Sequence, residues 1–257
     1  MILIDTHTHL YLNAFDDDRE AMVERAVASG VKYMFLPNID SGSVSGMNAL
    51  CERFPENCFP LMGLHPTSVK ENFLDELALV EKLLDEQIYY GVGETGIDLY
   101  WDKTYYREQV EAFNRQIDLA LEHGLPLVIH ARESFTEIFR VLENRDISGL
   151  RGVFHCFTGK LEEAERAIKL GFMLGIGGVL TYKNSGLDHV VAELGTEHLI
   201  LETDAPYLPP VPHRGKRNES AYIIHVADKL AEVLGSTAKE VAETTTRNAC
   251  TLFNLNI

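Results

Sequence analysis

IDTHTHL, residues 4–10, closes an apolar run with Asp5, His7 and His9 at every second position. In a strand, residues spaced by two share one face, so the three side chains are expected to point the same way. Turned toward the interior of a sheet they are costly to desolvate unless something compensates them. A metal ion does so directly, because neutral imidazole is a good ligand for it. A solvated edge strand would show the same alternation. The choice between the two rests on what the other strands carry.

Short runs rich in β-branched and apolar residues recur about every thirty residues and alternate with longer helical patterns, the signature of repeated βα units. Strands are expected within residues 1–8, 32–38, 59–65, 88–95, 125–131, 151–157, 172–178 and 199–205. Residues 17–30 (DDREAMVERAVASG) open on acidic side chains and close on glycine, and residues 105–124 close the same way, which are helix start and stop signals. Helical patterns at 221–235 and 238–253 finish the chain. Eight strands alternating with helices argue for an α/β fold, a (β/α)8 TIM barrel. No Pro/Gly/Ser-rich linker divides the sequence, so one domain is expected over residues 1–257.

The ends of these strands carry His7 and His9 (first), His65 (third), Glu94 (fourth), His130 (fifth), His155 (sixth) and Asp204 (eighth). In such barrels all strands run the same way, and their carboxyl ends meet at the face where the active site is built. A single strand-end histidine is commonly structural, but independent strand ends coinciding on metal-ligand types point to one convergent site. Histidines with two carboxylates can hold two divalent ions about 3.5–4 Å apart if one carboxylate bridges them. On this reading His7 and His9 point together because they share one ion. The mixed N/O set suits zinc, manganese, iron or cobalt better than calcium, and magnesium is less natural with so many imidazoles.

Of the 257 residues 46% are hydrophobic and 24% charged, which suffices for a large soluble core. Neither a signal peptide nor a membrane span is supported, so a cytoplasmic address without membrane partners is expected. Cys51, Cys58, Cys156 and Cys250 lack the spacing of a disulfide scaffold or a Cys-type zinc site and are expected to be free thiols. The net charge of −16 works against nonspecific attraction to nucleic acid or an anionic membrane. A phosphate substrate therefore needs a local source of positive charge.

The stretches DTHTHL, GLHP, GVGETGIDLYW, LVIHAR, HCFTG, LETDAPYL and KRNE, spanning residues 5–219, resemble the TatD family of metal-dependent hydrolases within the amidohydrolase-like barrels. The resemblance implies divalent-metal DNase activity by phosphodiester hydrolysis, as a 3′-to-5′ exonuclease on single-stranded DNA ends. Carried over by position, it implies that His7 and His9 bind one ion and that Glu94 bridges. It further implies that His130 and His155 bind the second ion, while Asp204 binds the first and handles the proton of the attacking water. Two positions depart from the family pattern: Ser220 follows Glu219 where proline is usual, and Ser134 stands where alanine is common.

Around these residues several side chains have two readings. Glu202 shares the face of Asp204 and could orient a ligand or the nucleophilic water, or form an interior ion pair; Asp5 has the same ambiguity. Arg132, two residues beyond His130, could clamp a phosphate or form a surface salt bridge. His65 could donate to the scissile phosphate or leaving oxygen, or cap the next helix. Tyr100 and Trp101 could stack bases or simply pack. Arg214, Lys216 and Arg217 crowd the loop at 209–220 and could supply the phosphate contacts, or form a solvated surface loop. Hydrolysis of a carboxylic ester, amide or aminoacyl ester on the same two ions is the competing reaction, and a non-catalytic binding protein a weaker rival.

Overall fold

The computed structural model describes residues 1–255, so the last two positions of the expected domain lie outside the described residues. Eight strands are present: β1 (Leu3–Asp5), β2 (Val31–Pro37), β3 (Cys58–Leu61), β4 (Val92–Asp98), β5 (Leu127–Arg132), β6 (Gly152–Phe154), β7 (Phe172–Ile176) and β8 (Leu199–Leu201). They alternate with α1 (Arg19–Ala28), α2 (Val44–Arg53), α3 (Phe73–Glu86), α4 (Tyr106–His123), α5 (Phe135–Glu143), α6 (Leu161–Lys169) and α7 (Leu187–Leu194); α8 (Ile223–Leu234) and α9 (Ala238–Phe253) follow β8. Neighbouring strands pair in parallel, in the orders β1-β2-β3 and β4-β5-β6-β7-β8. Two seams join these arcs into a TIM barrel. At the first, Met62 N–H donates to Gly91 O and Gly93 N–H to Met62 O. At the second, Thr6 N–H donates to Leu201 O, Asp204 N–H to His7 O and His9 N–H to Ala205 O.

The interior of the ring is divided along its axis. Ile4, Phe35, Leu61, Val128, Val153 and Ile200 form an apolar cluster with Ala249, Leu252 and Phe253 of α9, and the Phe253 ring stacks on Phe35 at 3.9 Å. Residues two positions further along several of these strands are polar. Val128 leads to His130, Val153 to His155, and Ile200 to Glu202 and Asp204. Period-two geometry thus turns one inward row into a greasy plug below and a polar cluster above.

Regular pairing stops earlier than the sequence pattern suggests. His7, His65, His155 and Asp204 all lie past the last residue of their strands, and β4 begins at Val92, with Ile88 82% exposed before it. Asp204 and Cys156 adopt left-handed backbone, with φ of 54° and 45°. Side chains that must converge on one point leave the ladder, and strained backbone collects at such places.

Asp5 corrects the expectation drawn from the D-x-H-x-H spacing. Because β1 ends at this residue, the Asp5 carboxylate does not join the two imidazoles; it accepts from His7 N–H (3.4 Å) and, across the seam between β1 and β8, from Thr203 N–H (2.9 Å) and Thr203 Oγ1–H (2.6 Å). Burial pushes its carboxyl up to about 7. Replacing Asp5 with Ala orphans a buried N–H and is expected to cost on the order of 1–3 kcal/mol of unfolding free energy, with Asp5→Asn retaining most of it. Urea denaturation followed by far-UV circular dichroism measures both; equal stability of Asp5→Ala and the parent chain would remove Asp5 from the seam.

Candidate active site

Glu94, 2% exposed, stands at the centre of the polar cluster. Its Oε2 lies 3.1 Å from His7 Nε2 and 3.5 Å from His9 Nε2. Its Oε1 lies 2.8 Å from both His130 Nδ1 and His155 Nε2, and 3.3 Å from His65 Nε2. Asp204 Oδ1 is 3.9 Å from His7 Nε2 and 3.7 Å from His9 Nε2. All six residues put forward as metal ligands therefore meet at one place, with one carboxylate oxygen turned to each histidine pair. His65 is there too, and its Nδ1 accepts from Thr67 N–H and caps the short 3-10 turn Pro66–Ser68, as its capping reading expects.

The outward nitrogens of these imidazoles fix the inward ones. Tyr11 Oη–H donates to Pro37 O, so its oxygen can only accept from His9 Nδ1, 2.9 Å away. His130 Nε2 faces Asp98 Oδ2 at 2.9 Å and His155 Nδ1 faces Glu202 Oε1 at 3.5 Å; both partners are acceptors. For His9 and His130 the outward nitrogen is thus the N–H end, and the inward one presents its lone pair toward Glu94. His7 Nε2 and His9 Nε2 are 3.2 Å apart, and His155 Nε2 and His130 Nδ1 3.4 Å. Lone pairs and a carboxylate at these separations repel unless positive charge lies among them, which is the condition a divalent cation meets. The donor set fits such a cation: His7, His9 and Glu94 form one group of potential ligands, and His7, His155 and Asp204 another.

The ionisation of the site shows the same demand for positive charge. Burial opposes the charged form of Glu94, but His155, His65, His7 and the contact with His130 outweigh it and hold the carboxyl well below its usual range. Burial also opposes the imidazolium of His155, yet Glu94 and Glu202 raise it well above the ordinary value; His130 is raised likewise by Asp98 and Glu94. His7, which burial and its neighbour His155 disfavour as a cation, is driven well below its ordinary value. Burial pushes Asp204 up to about 6.

The cluster floors a pocket of about 980 Å³ lined by Trp101, Arg132, Thr158 and Tyr207 with His9, Glu94, His130, His155 and Asp204. Glu202 is fully buried behind it, its Oε1 accepting from Cys156 N–H at 2.5 Å and lying 3.5 Å from His155 Nδ1. Gly175 is required there, because a Cβ would come within 2.1 Å of Glu202 Oε2. Arg132 lines the pocket with its guanidinium over the rings of Tyr100 and Trp101, not in a surface salt bridge.

Arg217 and Lys216 call for a correction. The Arg217 guanidinium pairs with Asp18 at 2.7 Å, donates to Ala14 O and covers the Phe15 ring. Arg214 lies over Tyr182, and Lys216 is exposed outside the pocket wall. The cationic loop is therefore held by acidic and aromatic partners from other elements, and its charge is not aimed at Glu94. Of the two departures from the family pattern, Ser134 donates to Ile97 O and Ser220 Oγ lies 3.4 Å from Thr8 Oγ1, near the seam of the barrel.

Asp98 and Tyr11 were not anticipated. Asp98 was readable in principle, since it lies four residues after Glu94 on the same strand and so shares its side. Tyr11 lies beyond β1, where no periodicity applies. Asp98→Ala frees the His130 ring and is expected to weaken zinc binding roughly 10–100-fold. Equilibrium dialysis checks this; unchanged affinity would show that Asp98 does not orient a ligand.

The chain matches the family model for TatD related DNase over residues 4–254. It is similar to the uncharacterized metal-dependent hydrolase YabD of Bacillus subtilis, 36% identical over 99% of this chain and 100% of that one. It is also similar to the 3'-5' ssDNA/RNA exonuclease TatD of Pantoea vagans, 30% identical over 98% of this chain and 100% of that one. The crystal structure of the TatD homologue YjjV from Escherichia coli superposes with a TM-score of 0.92 at 31% identity, covering 99% of this chain and 98% of that one. The whole-length match and the shared barrel lead to one conclusion: the chain belongs to the TatD related DNase family of metal-dependent hydrolases.

Proposed function

We propose that this protein hydrolyses phosphodiester bonds at single-stranded DNA ends, in the 3′-to-5′ direction, using two divalent ions. The observation that carries the reading is Glu94, whose two oxygens face two separate pairs of imidazole nitrogens. His7, His9 and Asp204 would hold one ion, His130 and His155 the other, and Glu94 both; zinc, manganese, iron or cobalt suits such a set, magnesium less well. Two bound cations lower the pKa of water and neutralise charge building on the phosphoryl oxygens.

The protein's own groups supply the rest. Asp204, which lines the pocket, takes the proton from the attacking water. Arg132 is the single Arg or Lys among the residues lining the pocket, and its N–H groups hold the phosphate. His65 contributes a ring nitrogen to the leaving oxygen. Glu202, Asp98 and Tyr11 keep the imidazoles turned inward. No helix among the described residues is long and apolar enough to cross a membrane, and all four cysteines are free, as suits a reducing cytoplasmic address.

Elemental analysis of the purified protein is expected to show up to two divalent ions, and replacing His7 and His9 together by Ala to remove one of them with the fold retained. Unchanged stoichiometry in that variant would sink the assignment. Asp204→Asn is expected to lower turnover by at least about 10²-fold at saturating metal. The substrates for these assays are 5′-labelled single-stranded DNA, an abasic duplex and an aminoacyl ester. Cleavage of the aminoacyl ester alone would replace the nuclease reading with that of a carboxylic esterase.

A further inference from the structure

Among the described residues the exposed large aromatic side chains are Tyr100, Trp101 and Tyr207, and every other Phe, Tyr or Trp is at least partly buried. All three stand in loops at carboxyl ends of strands, Tyr100 and Trp101 after β4 and Tyr207 after β8. In a closed ring of eight strands the fourth and eighth lie opposite one another, so Trp101 and Tyr207 line the pocket from facing sides of its mouth, with Glu94 between. Trp101 is 68% exposed.

This loop is held firmly. Asp98 Oδ1 accepts from Tyr100 N–H at 2.9 Å and Trp101 N–H at 3.0 Å, while Asp98 Oδ2 contacts His130. Asp102 accepts from Thr104 N–H at 2.9 Å and pairs with Lys70 at 3.2 Å, which closes the far side of the turn. The Tyr100 ring meets Trp101 edge-on, with centroids 5.0 Å apart at 87°. The Arg132 guanidinium lies 4.1 Å from the Tyr100 centroid and 5.3 Å from that of Trp101. A fixed aromatic face beside a guanidinium, both in the pocket that holds Glu94, complements a group that is flat and apolar at one end and anionic at the other. A nucleotide is such a group.

We infer that Trp101, buttressed by Tyr100, is the stacking platform for the base adjoining the bond that is cleaved, with Arg132 on the neighbouring phosphate. The inference rests on the nucleic-acid reading above and extends it: the platform selects an unpaired base, and it does so without regard to sequence because every base has a π face. A base inside a duplex already has its faces covered by its neighbours. The preference for single strands thus follows from Trp101 and not from the metal ligands. Stacking also compensates for the acidity of the protein, since it draws in the strand through its bases and needs few phosphate contacts.

Trp101 is the one tryptophan in the chain, so intrinsic fluorescence reports on this site alone. In stopped flow, metal-loaded protein mixed with a short oligodeoxythymidylate is expected to show quenching before hydrolysis, whereas an abasic strand of equal length and charge leaves the signal unchanged. Trp101→Ala is expected to raise KM for the thymidylate on the order of ten-fold, bringing it to that of the abasic strand, and Trp101→Phe to restore most of the difference. Equal quenching by both strands would assign the contact to sugar and phosphate and overturn the platform, as would no quenching or an unchanged KM in Trp101→Ala. Hydrolysis of neither strand, with quenching present, would overturn the nuclease reading and leave the platform standing.

Discussion

Five imidazole nitrogens within hydrogen-bonding or ion-pair distance of a single buried carboxylate is an arrangement that water alone does not stabilise. With no cation among them, protons must supply the positive charge, and His130 and His155 are accordingly driven toward their charged forms. Cation binding at such a site therefore displaces protons, and affinity rises with pH as the imidazoles give them up. The acceptors behind the ring, Tyr11, Asp98 and Glu202, are what keep this competition productive. They face the outward nitrogens of His9, His130 and His155, so the inward nitrogens of these rings are left to Glu94.

The barrel makes this arrangement tolerable by keeping it away from the part of the core that supplies stability. Below, α9 seals the ring with Leu252 and Phe253 against apolar strand residues; above, the inward row is given over to polar groups. The ring of helices outside buries the larger apolar cluster, so the polar floor of the pocket can be expensive without unfolding the chain. That division explains why the chemistry sits where the strands end. A ligand placed one pair of residues earlier on β5, at Val128, would have to displace the plug.

Much of this was legible in the sequence, for an identifiable reason. Strand period and helix caps are local signals, and ligand-type residues at strand ends inherit their common location from the parallel topology; that is how His7, His9, Glu94, His130, His155 and Asp204 could be brought together from one-dimensional information. What was not legible is non-local. Arg217 looked like free charge because its partner Asp18 lies 199 residues away, on the turn before α1. Asp5 looked like a neighbour of the histidines because nothing local announces that β1 stops there and that the carboxyl belongs to Thr203. Trp101 could be located but not interpreted until its exposure and the Arg132 contact were visible.

The seam between β1 and β8 has a consequence for how the protein comes into being. His7 and Asp204 stand on its two sides, joined by contacts that span almost the whole chain, such as the pairing of Asp5 with Thr203 at a separation of 198 residues. Contacts of that range carry a large loop-closure entropy and form late on any folding route. A ribosome-bound chain that has not yet delivered β8 holds the histidines of the first six strands but lacks Asp204. The hydrolytic centre is thus completed only when the ring shuts, and a chain still waiting for β8 carries the histidines without the carboxylate that joins them.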